Sequence, residues 1–353
     1  MSTVLESAPS TSAHQKPQLF STCPQSKDIA RDDYLNQVIN VARWSEAIGC
    51  KGILVYTDNG LVDNWSVAQV ILEHTERIAP LIAIQPIYMH PYMVAKRIAT
   101  FAHLFGRKVY LNMLAGGFKN DLLALGDDTV HDERYERVSE YTMIIKGLLS
   151  SPLPFSFEGK YYHIKNLKMT PFIAPELFPG VLISGSSEVG IKTARTIGAS
   201  IIRYPKAPEE ELVQHEAIAP GIRVGIIARD SAAEAWCVAY ERFPENRKGQ
   251  LAHQLAMKVS DSHWHKELSE QVNHLSKASP YWMGPFSNYQ SFCPYLVGSY
   301  KQVADELKSY FRLGFETFII DIPPTQEELE HIRYVFDLLA QQTLSPQVFH
   351  KEA

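Results

Sequence analysis

The chain has 353 residues, 45% hydrophobic and 21% charged, with a formal net charge of −5. That composition is globular, and its mild acidity gives no expectation of nucleic acid or a membrane surface as partner. Cys23, Cys50, Cys237 and Cys293 lie far apart, with no CxxC and no zinc spacing, so they read as reduced thiols of a cytoplasmic protein without a metal site.

No apolar run approaches the roughly 18 residues of a membrane span. Residues 1–16 are rich in Ser, Thr, Ala and Pro, with no basic start or apolar core. They read as a disordered tail rather than a signal peptide. Leu19–Thr22 is a weakly signalled first strand. A helix opens at Asp32 and Asp33, keeps Tyr34, Leu35, Val38, Ile39 and Ala42 on one side, and closes at Gly49. Gly52–Tyr56 is a strand; a polar loop to Asn64 leads into a helix carrying Trp65, Ala68, Val70 and Leu72. Leu81–Gln85 is the next strand, a helix follows His90 and Pro91, and Val109–Leu114 is a fourth strand ending at Ala115, Gly116 and Gly117.

The same alternation continues. His131–Leu149 is a long helix, Val181–Ser184 a strand, Ser187–Ile197 a helix and Ser200–Ile202 a strand. Pro208–His215 is helical, Ile222–Ala228 a strand and Ala232–Tyr240 a helix. Tyr300–Leu313, Thr317–Asp321 and Gln326–Gln341 give a last helix–strand–helix series. The strands are continuous apolar runs, the pattern of parallel strands buried on both faces. Eight strand–helix units fit an α/β fold of the TIM (β/α)8 type better than an open doubly wound sheet. One barrel domain is expected over 17–341, with a tail over 342–353. Two stretches interrupt it. Phe155–Ile164 alternates and turns at Glu158 and Gly159, a hairpin. Residues 243–294 form a long insertion that reads either as a lid or as an extra helical pair packed on the barrel.

Active sites of such barrels lie at the strand C-terminal ends. Thr22, Cys23, Tyr56, Thr57, Gln85, Asn112, Ala115, Arg203, Tyr204, Arg223 and Asp321 stand there, with the Ser184–Ser187 turn. This set has no Ser–His–Asp arrangement, paired carboxylates or metal cluster, which suggests that a cofactor carries the chemistry. The turn itself joins a strand to a helix through small residues. It reads as a serine N-cap, or as a phosphate cradle on the positive end of the helix dipole. Arg203 and Arg223 are catalytic candidates: an arginine inside a barrel strand needs an anion or a paired carboxylate. The partner is either substrate or a structural group such as Asp321. Tyr135, one turn into its helix, is placed to aim a hydroxyl at a phosphate.

Four motifs occur in order: His131–Tyr135 with Glu140 and Tyr141 behind, Phe157–Tyr161, Ser184–Gly190, and Val297–Gly298. Together they resemble the bacterial luciferase-like flavin monooxygenases, especially the alkanesulfonate monooxygenase branch, over about residues 17–340. The resemblance implies a TIM barrel that takes reduced FMN from a separate flavin reductase and uses O2 to oxygenate a small organic substrate. It implies Ser186, Ser187, Val189 and Gly190 at the FMN phosphate with Tyr135, and Asn112 and Ala115 beside the flavin ring. A homodimer or homotetramer is expected.

The chain also departs from that branch. The Arg-x-His of the seventh strand is Arg223–Val224–Gly225 here. The loop with the branch's cysteine reads Asn59–Asp63. Between Ser279 and Gly298 there is no Arg or Lys but Tyr281, Trp282, Phe286, Tyr289, Phe292 and Tyr295. A sulfonate needs cationic donors; an aromatic lid suits an apolar or acyl group. The resemblance, rather than the lid, adds natural-product intermediates tethered to a carrier protein, on which some members of the family act. Two alternatives stay open: hydride transfer with the deazaflavin F420, or a non-catalytic flavin binder.

Overall fold

Eight short apolar strands close on one another in parallel. In the computed structural model these are β1 (Gln18–Thr22), β2 (Gly52–Val55), β3 (Ala79–Ile84), β4 (Tyr110–Met113), β7 (Gly180–Ser184), β8 (Ser200–Arg203), β9 (Gly221–Arg229) and β12 (Thr317–Ile320). They pair in that order, and β12 returns to β1. The structure describes residues 16–211, 219–259 and 279–344. The expected tails over 1–16 and 342–353 fall almost wholly outside them, as do parts of the segments expected over 208–215 and 243–294.

Alternate residues explain why the strands read as unbroken apolar runs. Phe20, Leu54, Leu81, Leu182, Ile202 and Ile319 fill the barrel interior beside Tyr56 and Tyr110. Their neighbours in sequence pack outward on the helices in two larger clusters. Both faces are dry, so no polar alternation survives. The outer layer is α1 (Arg31–Ala47), α2 (Asn64–His74), α3 (Pro91–Phe105), α5 (His131–Ser150), α6 (Glu188–Ile197), α7 (Ala232–Arg242), α10 (Tyr300–Arg312) and α11 (Gln326–Leu344). Additions are α4 (Lys119–Ala124), α8 (Arg247–Val259) and α9 (Gly284–Ser287).

The predicted hairpin is β5 (Phe155–Glu158) with β6 (His163–Leu167). The Glu140 carboxylate on α5 accepts from the N–H groups of Lys160, Tyr161 and Tyr162 at 2.7–3.2 Å. The Tyr141 hydroxyl donates to the Met89 carbonyl. Two of the four motifs therefore share a structural clasp between α5 and the hairpin turn.

The structure adds elements that the sequence reading lacks. The insertion returns as β10 (Tyr281–Trp282) and β11 (Tyr295–Ser299), which lengthen β9 beyond the barrel: β9 pairs with β12 through Val224 and with β11 from Gly225 onward. Pro208–Glu210 is a single 3-10 turn.

One buried acid shapes the pH response. Glu306 on α10 is half-buried, its Oε1 has no hydrogen-bond partner among the described residues, and burial followed by repulsion from Glu209 lifts its carboxyl to about 7. The folded state thus holds a proton that the unfolded chain releases near the ordinary value, so this group's stabilisation is full below about pH 4.5 and is lost as pH rises through about 7. Glu306→Gln is expected to raise the melting temperature at pH 8 and leave it unchanged at pH 5; equal curves at both pH values would contradict this.

Candidate active site

Strand β7 ends at Ser184 and α6 starts at Glu188, so Gly185, Ser186 and Ser187 make the whole turn. The Ser187 hydroxyl caps the helix by accepting from the Gly190 N–H at 3.2 Å. The N–H groups of Glu188 and Val189 open the helix and have no intrahelical acceptor. Tyr135, from the first turn of α5, packs onto the turn and hydrogen-bonds the Ser187 side chain. Only glycine fits at 185, because a Cβ there would sit 2.6 Å from the Tyr135 hydroxyl. Burial, with Ser187 opposing, raises the Tyr135 phenol above its ordinary pKa, so it stays a neutral donor. Ser186 lines the cavity, and its Oγ is buried with no hydrogen-bond partner among the described residues. An unpaired hydroxyl beside open helix N–H groups has the donor set of a phosphate site.

The same cavity runs inward over the strand ends. Asn112 lines it, and its carboxamide oxygen accepts from the Ser184 hydroxyl at 2.9 Å, which leaves the amide nitrogen to donate to a ligand. Ala115 and Gln85 stand beside it. Two strands along the barrel from β7, Arg223 on β9 is 5% exposed and also lines the cavity. Its Nη1 donates to the Tyr204 hydroxyl at 3.0 Å and its Nη2 to the Asp321 carboxylate at 3.2 Å. The guanidinium lies 4.7 Å over the Tyr56 ring. Arg223 is thus paired with Asp321, the structural one of its two readings, and it also lines the cavity with N–H groups to spare.

Val189 and Gly190 do not line the cavity; they form the first turn of α6 behind Ser187, which does. Arg203 is not brought to the cavity. Its neighbour Ile202 points inward and lines the wall, so alternation turns Arg203 outward, where its guanidinium lies 5.4 Å over Phe315 between strand and helix layers. Cys23 also faces outward, in the core beneath α1. Of the aromatic set in the insertion, Phe292 lines the cavity. Tyr281, Phe286 and Tyr295 are at most 4% exposed and serve as core. His131, Asp58, Asp121 and Phe118 line the cavity as well. They sit on loops and at helix starts, outside a survey of strand ends; only the presence of His131 in the α5 motif hinted at it. Among the described residues no three His, Cys, Asp or Glu side chains are grouped to hold a metal, and no helix is long and apolar enough to cross a membrane.

A family model described as luciferase-like monooxygenase matches residues 14–317. The chain belongs to the luciferase-like monooxygenase family. A relative from Niallia circulans is 36% identical over 318 residues, covering 86% of this chain and 92% of its own. It is the 4-(gamma-L-glutamylamino)butanoyl-[BtrI acyl-carrier protein] monooxygenase BtrO. Among solved structures, the long-chain alkane monooxygenase LadA aligns with a TM-score of 0.72 at 17% identity, covering 96% of this chain and 94% of LadA. An F420-dependent secondary alcohol dehydrogenase aligns with a TM-score of 0.64 at 15% identity, over 92% of this chain and 99% of its own. The same fold is therefore shared by a protein named as a monooxygenase and one named as an F420-dependent dehydrogenase.

The barrel shows why this luciferase-like monooxygenase has glycine where the sulfonate branch has histidine. Gly225 is where β9 leaves β12 and meets β11, and its N–H donates to the Pro294 carbonyl at 2.8 Å. A Cβ at 225 would meet the Tyr295 ring at 2.3 Å. The Tyr295 hydroxyl donates to Asp321 at 2.9 Å. Burial, and then the Asp321 charge, push the Tyr295 phenol well above its ordinary pKa, so it remains a donor. Gly225→His is expected to lose at least the roughly 1–3 kcal/mol of an overpacked core, measured as a lower urea midpoint. A wild-type midpoint would mean that Tyr295 moves aside freely.

Proposed function

We propose that this chain is the oxygenase of a two-component system: it takes reduced FMN from a separate flavin reductase and uses O2 to oxygenate an acyl group presented on a carrier protein. The observation that carries the flavin half is the buried, unpartnered Ser186 hydroxyl in a serine turn at a helix start. Ser186, Ser187, the N–H groups of Glu188 and Val189, and Tyr135 would hold the phosphate, with Gly190 fixing the turn through its N–H to Ser187; Asn112 and Ala115 would lie along the ring. When bound, the reduced flavin supplies the electrons that activate O2. The chain's own residues bind it, shield it from water beneath Phe292, and orient the substrate with Arg223.

The relative named for an acyl-carrier-protein substrate supports the carrier-bound half. The cavity supports it too. Its arginine is already paired with Asp321, and Asp58 and Asp121 line the same space; burial and the Asp58 charge raise the Asp121 carboxyl above its ordinary value. That field disfavours a free sulfonate, while a neutral thioester carbonyl needs only a donor. The expected setting is cytoplasmic and the expected assembly a homodimer or homotetramer.

The test is direct. The purified protein is mixed with reduced FMN, O2 and a butanoyl group on a carrier protein, on free butanoate, or with an alkanesulfonate. Oxygen addition to the carrier-bound group alone is the expected result. Tight F420 binding with no FMN binding would replace this reading by hydride transfer; FMN binding without turnover of any acyl or sulfonate substrate would leave a non-catalytic flavin binder.

A further inference from the structure

The returning end of the insertion does more than close the fold. Ser291, Phe292 and Tyr295 come from one short segment. Phe292 lines the cavity, while its two companions reach past it to a single carboxylate. The Ser291 hydroxyl donates to Asp321 Oδ2 at 2.5 Å and accepts from the Cys293 N–H at 3.2 Å. The Tyr295 hydroxyl donates to the same Oδ2 at 2.9 Å. Asp321 Oδ1 is then left for Arg223 Nη2 at 3.2 Å. Both carboxylate oxygens are committed, so the carboxylate has one orientation, and so has the guanidinium fixed between it and the Tyr204 hydroxyl.

We propose that Ser291, Tyr295 and Asp321 are positioning residues that set the orientation of the Arg223 guanidinium in the cavity wall. The inference rests on the reading of Arg223 as a substrate-facing donor, but it concerns this chain's own side chains and needs neither cofactor nor substrate to be tested. It also accounts for Gly225. The space that a larger residue would take at 225 is filled by the Tyr295 ring, and that ring delivers the hydroxyl that orients Asp321.

The test uses the full-length protein with nitrogen-labelled arginine, read by NMR, with Arg223→Lys assigning the Arg223 signals. In the wild type the Nη protons of Arg223 are expected as resolved, slowly rotating signals. Ser291→Ala and Tyr295→Phe each remove one hydrogen bond to a charged group, and about tenfold faster guanidinium rotation is expected in each. The melting temperature and the affinity for FMN are expected to stay near the wild type. Asp321→Asn, which keeps the shape and loses the charge, is expected to speed rotation further. Should the steady-state reaction be measurable, the two hydroxyl variants raise KM more than they lower kcat. Unchanged Arg223 signals in folded Ser291→Ala and Tyr295→Phe would overturn the proposal. So would a joint fall of melting temperature, FMN affinity and Arg223 order, which marks a purely structural role. Failure of the oxygenase reading would leave these spectra as they are.

Discussion

Arg223→Ala is expected to lower kcat/KM for oxygenation by about 100-fold, the order that misplacing a bound substrate by about 1 Å costs. FMN affinity is expected to change little, because the arginine stands on β9, separated by β8 from the β7 strand that carries the Ser184–Ser187 turn, and is already held by Tyr204 and Asp321. Removing one partner of a buried ion pair commonly costs about 3–5 kcal/mol. The loss should be smaller here, since Asp321 keeps the Ser291 and Tyr295 hydroxyls as donors. Arg223→Lys keeps the charge but loses the planar fork that reaches Tyr204 and Asp321 together, and is expected to fall between alanine and wild type. Steady-state rates, flavin titration and melting curves on one preparation separate these effects. A collapse of FMN binding in a folded Arg223→Ala variant would place the arginine on the cofactor instead.

The second large effect is at the other end of the cavity. Ser186→Asp puts a carboxylate where the FMN phosphate is held. Two like charges about 4 Å apart repel by roughly 4 kcal/mol at the effective dielectric of a protein surface, and a dianion is repelled more. FMN affinity is therefore expected to fall by more than about 100-fold. Ser186→Ala, which removes one hydrogen bond to a charged group worth about 1.5–3 kcal/mol, is expected to lose about ten- to a hundredfold. Riboflavin has the same ring without the phosphate, and its weaker binding is expected to be the same in all three proteins. Calorimetric titration reads both ligands. Equal losses for FMN and riboflavin would mean that the turn does not hold the phosphate.

Much of the fold was legible because each barrel strand is buried on both faces, and Gly52–Val55 or Val181–Ile183 has no competing reading once a helix-period segment follows. The same double burial hid which way each strand residue points. In a four-residue strand such as β8, nothing in the sequence distinguishes Ile202 facing in from Arg203 facing out. The serine turn was legible from a strand end, a run of small residues and a helix start. Tyr135 was reachable through its motif. The Arg223–Asp321 pair spans 98 residues, so the sequence offered it as one option among several. Strand β11 was missed because it lengthens β9 outside the barrel count and follows an aromatic, turn-rich stretch. That stretch looked like a lid because of its rings. Most of them are core, and Gly225 acquires its meaning only when Tyr295, 70 residues on, is packed against it.

The measurement that bears most directly on the account follows one oxygen atom. The protein is given reduced FMN, isotopically heavy O2 and an acyl group on a carrier protein, and the carrier-bound product is weighed intact. The account predicts one heavy oxygen in the acyl group, none when reduced FMN is withheld, and none when Ser186→Asp replaces the wild type. Oxygen drawn from water, or an acyl group left unchanged while the protein is saturated with reduced FMN, would contradict it.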